Sequence, residues 1–117
     1  MFSKKEGKIA VKIARNVIEK YVKNEEITVK DYPESFKEKS GVFVTINTYL
    51  KKELRGCIGY PEPVMPLIDA ITDSAKNACK DPRFQHLEQN ELNSIVVEVS
   101  LLTKPELIKT DDPKHYP

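Results

Sequence analysis

Gly41-Val42-Phe43-Val44-Thr45-Ile46-Asn47-Thr48-Tyr49, the polar Leu50-Lys51-Lys52-Glu53, and then Leu54-Arg55-Gly56-Cys57-Ile58-Gly59-Tyr60 form the stretch on which the fold turns. The first nine residues are rich in β-branched and aromatic side chains, which suit a pleated, half-buried strand. The polar stretch supplies a turn, and Leu54 to Tyr60 predicts a second strand, the hairpin partner of the first. Side chains alternate along a strand, so Arg55 and Cys57 are expected on one face with Gly59 next in line. Leu54, Ile58 and Tyr60 then face the other way, with Gly56 among them.

Upstream, Ile9, Ile13, Val17 and Tyr21 recur every four residues, with Ala10, Ala14 and Ile18 beside them. That spacing makes one apolar stripe on a helix from Lys5 to Tyr21. Ile27 to Ser40, with Pro33 and several charges, reads as a connection anchored by Phe36. Downstream, Pro61 and Pro63 break regular structure, and Pro66 suits the first turn of a helix, where a missing N–H costs little. That helix carries Leu67, Ile68, Ala70, Ile71, Ala75, Ala78 and Cys79, and Asp81-Pro82 stops it, because the residue before proline is driven from helical angles. Glu88 to Leu92 predicts a short helical turn. Ile95 to Thr103 predicts a third strand with Ile95, Val97, Val99 and Leu101 on one face. Leu107-Ile108 extends the sheet in this reading. Helix, two strands, helix, strand is the order of an α+β domain with a mostly antiparallel sheet covered by helices. The domain is expected over residues 1–110, with 111–117 a linker or cut end.

Composition narrows the function. The chain has 117 residues, enough for one modest core, with 39% hydrophobic and 32% charged residues. No apolar run approaches the roughly 20 residues needed to span a bilayer, and Met1-Phe2-Ser3-Lys4-Lys5-Glu6 does not open a signal peptide. Net charge is +1, from 19 basic and 18 acidic residues in mixed clusters, so no broad positive field favours nucleic acid. Cys57 and Cys79 lie in unlike surroundings and form no disulfide framework, which fits two free thiols in the cytoplasm.

Chemistry concentrates in Leu54 to Gly59. An arginine two positions from a cysteine on one strand face lies about 6–7 Å away at the Cα level, within side-chain reach. A cation there favours thiolate over thiol. Gly59 leaves that face without a side chain, open to an approaching molecule, and Gly56 serves close backbone packing or a bulge. Arg55 and Cys57 are thus the candidate catalytic pair.

The six residues Leu54-Arg55-Gly56-Cys57-Ile58-Gly59 are similar to the signature of the AMMECR domain, a family named after a human AMME chromosomal-region candidate protein. The resemblance continues in Gly41-Val42-Phe43-Val44-Thr45, Asp81-Pro82-Arg83-Phe84 and Glu98-Val99-Ser100-Leu101-Leu102-Thr103, and covers roughly Lys5 to Glu106. It implies a cytosolic α/β protein, archaeal or otherwise prokaryotic, of a family without a settled biochemical activity. It also implies a pathway link to a Memo-like protein and a radical-SAM protein. Gln85-His86 stands where relatives commonly carry prolines. The resemblance also implies a family domain that continues past Pro117 into a glycine-rich stretch and a terminal helix, so this chain corresponds to its N-terminal and central part, either as a piece of a longer protein or as a shortened relative.

Further candidates surround the signature. Arg83 either folds back toward it as a second cation for an anionic ligand or caps the second helix. Glu98, out of step with the apolar face of its strand, is either a neighbour of Arg55 or a surface carboxylate. Ser100 shares its face and donates to a ligand or to backbone, and Phe84 reads as a core anchor. Gly56, Gly59, Arg83, Glu98 and Ser100 are therefore the candidate ligand-binding residues. His86 and His115 lack zinc-ligand spacing with the cysteines, so no metal and no cofactor is expected. Two functions remain open. One is a module that binds a small ligand or a protein through the signature. The other is a cysteine-dependent enzyme acting on a small anionic substrate, with Cys57 as nucleophile.

Overall fold

The expected hairpin is the centre of the fold. In the computed structural model, which describes residues 2–102, strand β1 (Gly41–Thr48) runs antiparallel to β2 (Leu54–Tyr60) on one side and to β3 (Ile95–Leu102) on the other. The order across the sheet is β2-β1-β3. Thr48 closes the hairpin: its N–H donates to the Glu53 carbonyl (2.8 Å) and its hydroxyl accepts the Glu53 N–H (2.9 Å). Lys52 takes a left-handed φ of 54° to make the turn.

Alternation then sorts the side chains. Val42, Val44 and Ile46 are fully buried, whereas Phe43 and Thr45 between them are only half-buried. Across the sheet the same row continues as the buried Gly56 and half-buried Ile58 on β2 and as the buried Val97 and half-buried Val99 on β3.

Helix α1 (Lys4–Val22) buries Ala10, Ile13, Ala14, Val17 and Ile18, the stripe expected from the four-residue spacing. A capping box starts it: Ser3 Oγ accepts the Glu6 N–H (3.1 Å), and Glu6 accepts the Ser3 N–H (2.8 Å). Ser3-Lys4-Lys5-Glu6 carries the S-x-x-E spacing for this, a signal additional to the stripe. In the connection, a single 3-10 turn, Glu34–Lys37, drives Phe36 into full burial, a contribution of roughly 1.5–3 kcal/mol. Helix α2 (Leu67–Ala78) follows Pro66, which sits at its N-cap. Its small residues Ala70, Ser74, Ala75 and Ala78 are all buried and let it lie close on β1 and β2, while α1 packs on α2 and β3.

Both helices cover the face of the sheet that carries Val42, Val44 and Ile46. The opposite face carries Phe43, Thr45, Cys57, Glu98 and Ser100, and no other described element lies over it. The expected turn near Glu88 is a 3-10 segment, Gln89–Ser94. Leu107-Ile108 and residues 111–117 lie outside the described residues. No helix among the described residues is long and apolar enough to cross a membrane.

Candidate functional site

The pairing of β1 with β2 is regular from Val42↔Tyr60 to Ile46↔Gly56, and then Asn47 pairs with Leu54. Arg55 is the extra residue of a β-bulge, and a bulge re-aims the side chain it carries. The Arg55 guanidinium accordingly does not stand beside Cys57 as simple alternation requires. Nε and Nη2 grip the Glu91 carboxylate in a two-pronged ion pair (2.8 and 3.0 Å). Nη1 donates to the Gln85 carbonyl (2.8 Å) and Nη2 to that of His86 (3.3 Å). Its side chain is 15% exposed. Glu91, not Glu98, is therefore its partner, and the pair holds the Glu91 carboxyl below its usual pKa, chiefly through the Arg55 hydrogen bonds. Arg55 ties the loop after α2 to the edge of β2. Its charge also reaches Cys79 at the end of α2. There burial pushes the thiol up to about 12, against the opposing pull of that arginine.

Cys57 lies half-buried on the sheet face away from the helices, with its sulfur 3.3 Å from the Thr45 hydroxyl across the strands. Its backbone N–H donates to Asp81 (3.0 Å). Asp81 is almost completely buried, and its carboxylate accepts three more N–H groups, all from Arg83: the backbone N–H (3.0 Å), Nε (3.1 Å) and Nη2 (2.7 Å). Those bonds, led by the Arg83 side chain, hold the Asp81 carboxyl well below the usual carboxylate range despite burial. Arg83 is itself 57% exposed, and its Nη2 reaches the Cys57 carbonyl at 3.5 Å. Of the two expectations for Arg83, folding back to the signature is the one seen. Phe84 is not a core anchor. It lies half-exposed beneath the Arg83 guanidinium, 5.4 Å from Cζ to the ring centroid, a cation–π contact of about 0.5–1 kcal/mol.

The two glycines serve packing. A Cβ on Gly56 would overlap the Ala78 carbonyl oxygen, so β2 touches the last turn of α2 here. A Cβ on Gly59 would overlap the Val42 carbonyl oxygen and come 2.6 Å from Phe43 Cδ1. The space expected to be open beside the sulfur is thus filled by the Phe43 ring, leaning across from β1. Glu98 pairs with Thr45, which pairs with Cys57, so one row of the uncovered face reads Cys57, Thr45, Glu98. Ser100 is exposed and stands opposite Phe43. The structure thus joins Cys57 with Arg83, lays Glu98 and Ser100 along the same face, and takes Arg55 away. Asp81, Thr45 and Glu91 belong to the arrangement but were absent from the sequence expectation. Asp81-Pro82 figures there as a helix stop and as part of a family block, with no role given to the carboxylate.

Comparison with known proteins gives the family of the chain. The family model AMMECR1 matches residues 11–116. The chain belongs to the AMMECR1 family. Among AMMECR1 relatives, Protein MJ0810 of Methanocaldococcus jannaschii is 56% identical over 112 residues, which are 95% of this chain and 56% of that protein. A protein of Methanothermobacter thermautotrophicus is 47% identical over 118 residues, 98% of this chain and 60% of its own length. The crystal structure of the uncharacterized protein PH0010 from Pyrococcus horikoshii matches with a TM-score of 0.83 at 43% identity, covering 89% of this chain and 54% of that one. The chain thus spans a little over half the length of the AMMECR1 relatives it matches.

Proposed function

We propose that the chain is a protein-binding module whose working surface is the uncovered face of the sheet, with Cys57 at its centre and Arg83 at its margin. One observation carries this reading: Cys57 lies half-buried on a sheet face that no other described element covers, while Arg55, the expected activator, is committed to Glu91 and two loop carbonyls. Small-molecule sites are concave, and the grooves beside α1, α2, β3 and Arg55 are not lined by Cys57. A flat strand surface with one half-exposed aromatic ring and one exposed guanidinium suits a protein partner. In this role Arg55 braces the loop that presents Arg83, and Asp81 holds Arg83 against the strand.

The test is a pull-down from cell extract with the natural chain and with a Phe43→Lys/Arg83→Glu variant, after circular dichroism shows both folded. The natural chain is expected to retain a specific partner that the variant loses, and that partner is expected to shield Cys57 from iodoacetamide. Recovery of no specific partner, or equal recovery by both chains, overturns the proposal. The cysteine-enzyme reading keeps one favourable observation, the Arg83 guanidinium lying beside the Cys57 residue at its backbone carbonyl. It requires Cys57 of the free chain to outpace an ordinary thiol toward iodoacetamide, whereas the binding reading expects no such excess.

A further inference from the structure

Of the grooves named above, the one beside α2 lies away from the uncovered sheet face. It has a volume of about 540 Å3 and runs between α2 and the extended segment after α1. Ile27, Val29, Tyr32 and Met65 line it with apolar surface, and α2 contributes Asp69 and Asp73, four residues and so one helical turn apart. Neither carboxylate has a cation within 4.0 Å among the described residues. Lys76, one turn beyond Asp73, also lines the groove and leaves it one net negative charge.

Asp73 is held in place by neutral donors rather than by a cation. The Tyr60 hydroxyl and the Asn77 amide (3.2 Å) both donate to its Oδ2, leaving Oδ1 without a hydrogen bond among the described residues. The bond to Asp73 raises the Tyr60 pKa, so the phenol keeps its proton and remains the donor. The result is an anchored carboxylate with spare acceptor capacity and a second, exposed one a turn away, both beside apolar surface. Charge complementarity calls for a cation, and the lining calls for an apolar body attached to it. The volume of about 540 Å3 falls within the roughly 300–1,000 Å3 of small-molecule sites.

We infer that this groove binds a small organic cation, an ammonium group on an aryl or alkyl stem, with the ammonium between Asp69 and Asp73 and the stem against Ile27, Val29, Tyr32 and Met65. The inference is independent of the role of Cys57.

The probe is phenethylammonium, titrated into the 15N-labelled chain and followed by amide chemical shifts, with 3-phenylpropionate as the control of similar shape and opposite charge. Saturable shifts are expected at Ile68, Asp69, Thr72 and Asp73 with phenethylammonium and not with the carboxylate. Asp69→Asn, at an exposed position whose side chain makes no hydrogen bond among the described residues, is expected to weaken binding severalfold while the spectrum stays folded. Asp69→Asn/Asp73→Asn is expected to weaken it about tenfold or more. Absence of saturable shifts, equal response to both probes, or unchanged affinity in the folded Asp69→Asn variant overturns the inference.

Discussion

At Asp81 a buried negative charge is kept by four N–H groups, one from Cys57 and three from Arg83. Hydrogen bonds to an ionised group are worth about 1.5–3 kcal/mol each in mutational series, and an amide in place of the carboxylate would turn donor hydrogens toward Arg83. Asp81→Asn is therefore expected to cost roughly 2 kcal/mol in urea unfolding at neutral pH. The pH dependence follows from the direction of the shift. The folded-state pKa lies below the unfolded value of about 3.9, so the contribution of Asp81 is fully present above that value and is lost as pH falls through the folded pKa. Glu91, lowered by Arg55, acts in the same direction. Stability of the natural chain should fall on acidification below about pH 4, and less steeply in Asp81→Asn. A variant as acid-sensitive as the natural chain would remove Asp81 from this account.

Among the elements, β2 departs furthest from its expected behaviour. The β1–β2 hairpin, the helix stripe of α1 and the inward face of β3 were legible because each depends on a local period of side chains. The orientation of Arg55 was not, because alternation assumes an unbroken pleat and the bulge between Ile46 and Asn47 interrupts it. Its partner Glu91 lies 36 residues away in a 3-10 segment, a pairing that no local pattern encodes. Asp81 was legible as a helix stop and illegible as an acceptor, since that role depends on β2 passing beside it. Of the two structural readings of Gly56, close packing or a bulge, close packing is the one seen, with the bulge falling at Arg55 beside it. Because the Ala78 carbonyl belongs to the backbone and cannot rotate away, Gly56→Ala should cost roughly 3 kcal/mol, at the upper end of the overpacking range. Chemical denaturation measures this, and a change within about 0.5 kcal/mol, as at an unconstrained surface site, would contradict the contact.

For the whole molecule the governing feature is the inequality of the two sheet faces. Ile46 is fully buried under the helices, and Ser100 lies exposed on the other side. Ile46→Ala is expected to cost about 2–5 kcal/mol, and Ser100→Ala to stay within about 0.5 kcal/mol. A comparable loss at Ser100 in the isolated chain would mean that something already covers the second face. The bulge at Arg55 has a consequence at this scale too. β2 borders the described sheet, and a regular border strand is a template on which further chains can stack into aggregates. An extra residue there breaks the ladder spacing and bends the strand, and the bulky arginine it carries is pinned across the end of that border. The residue that ties down the loop thereby also makes the β2 border a poor template for edge-to-edge pairing.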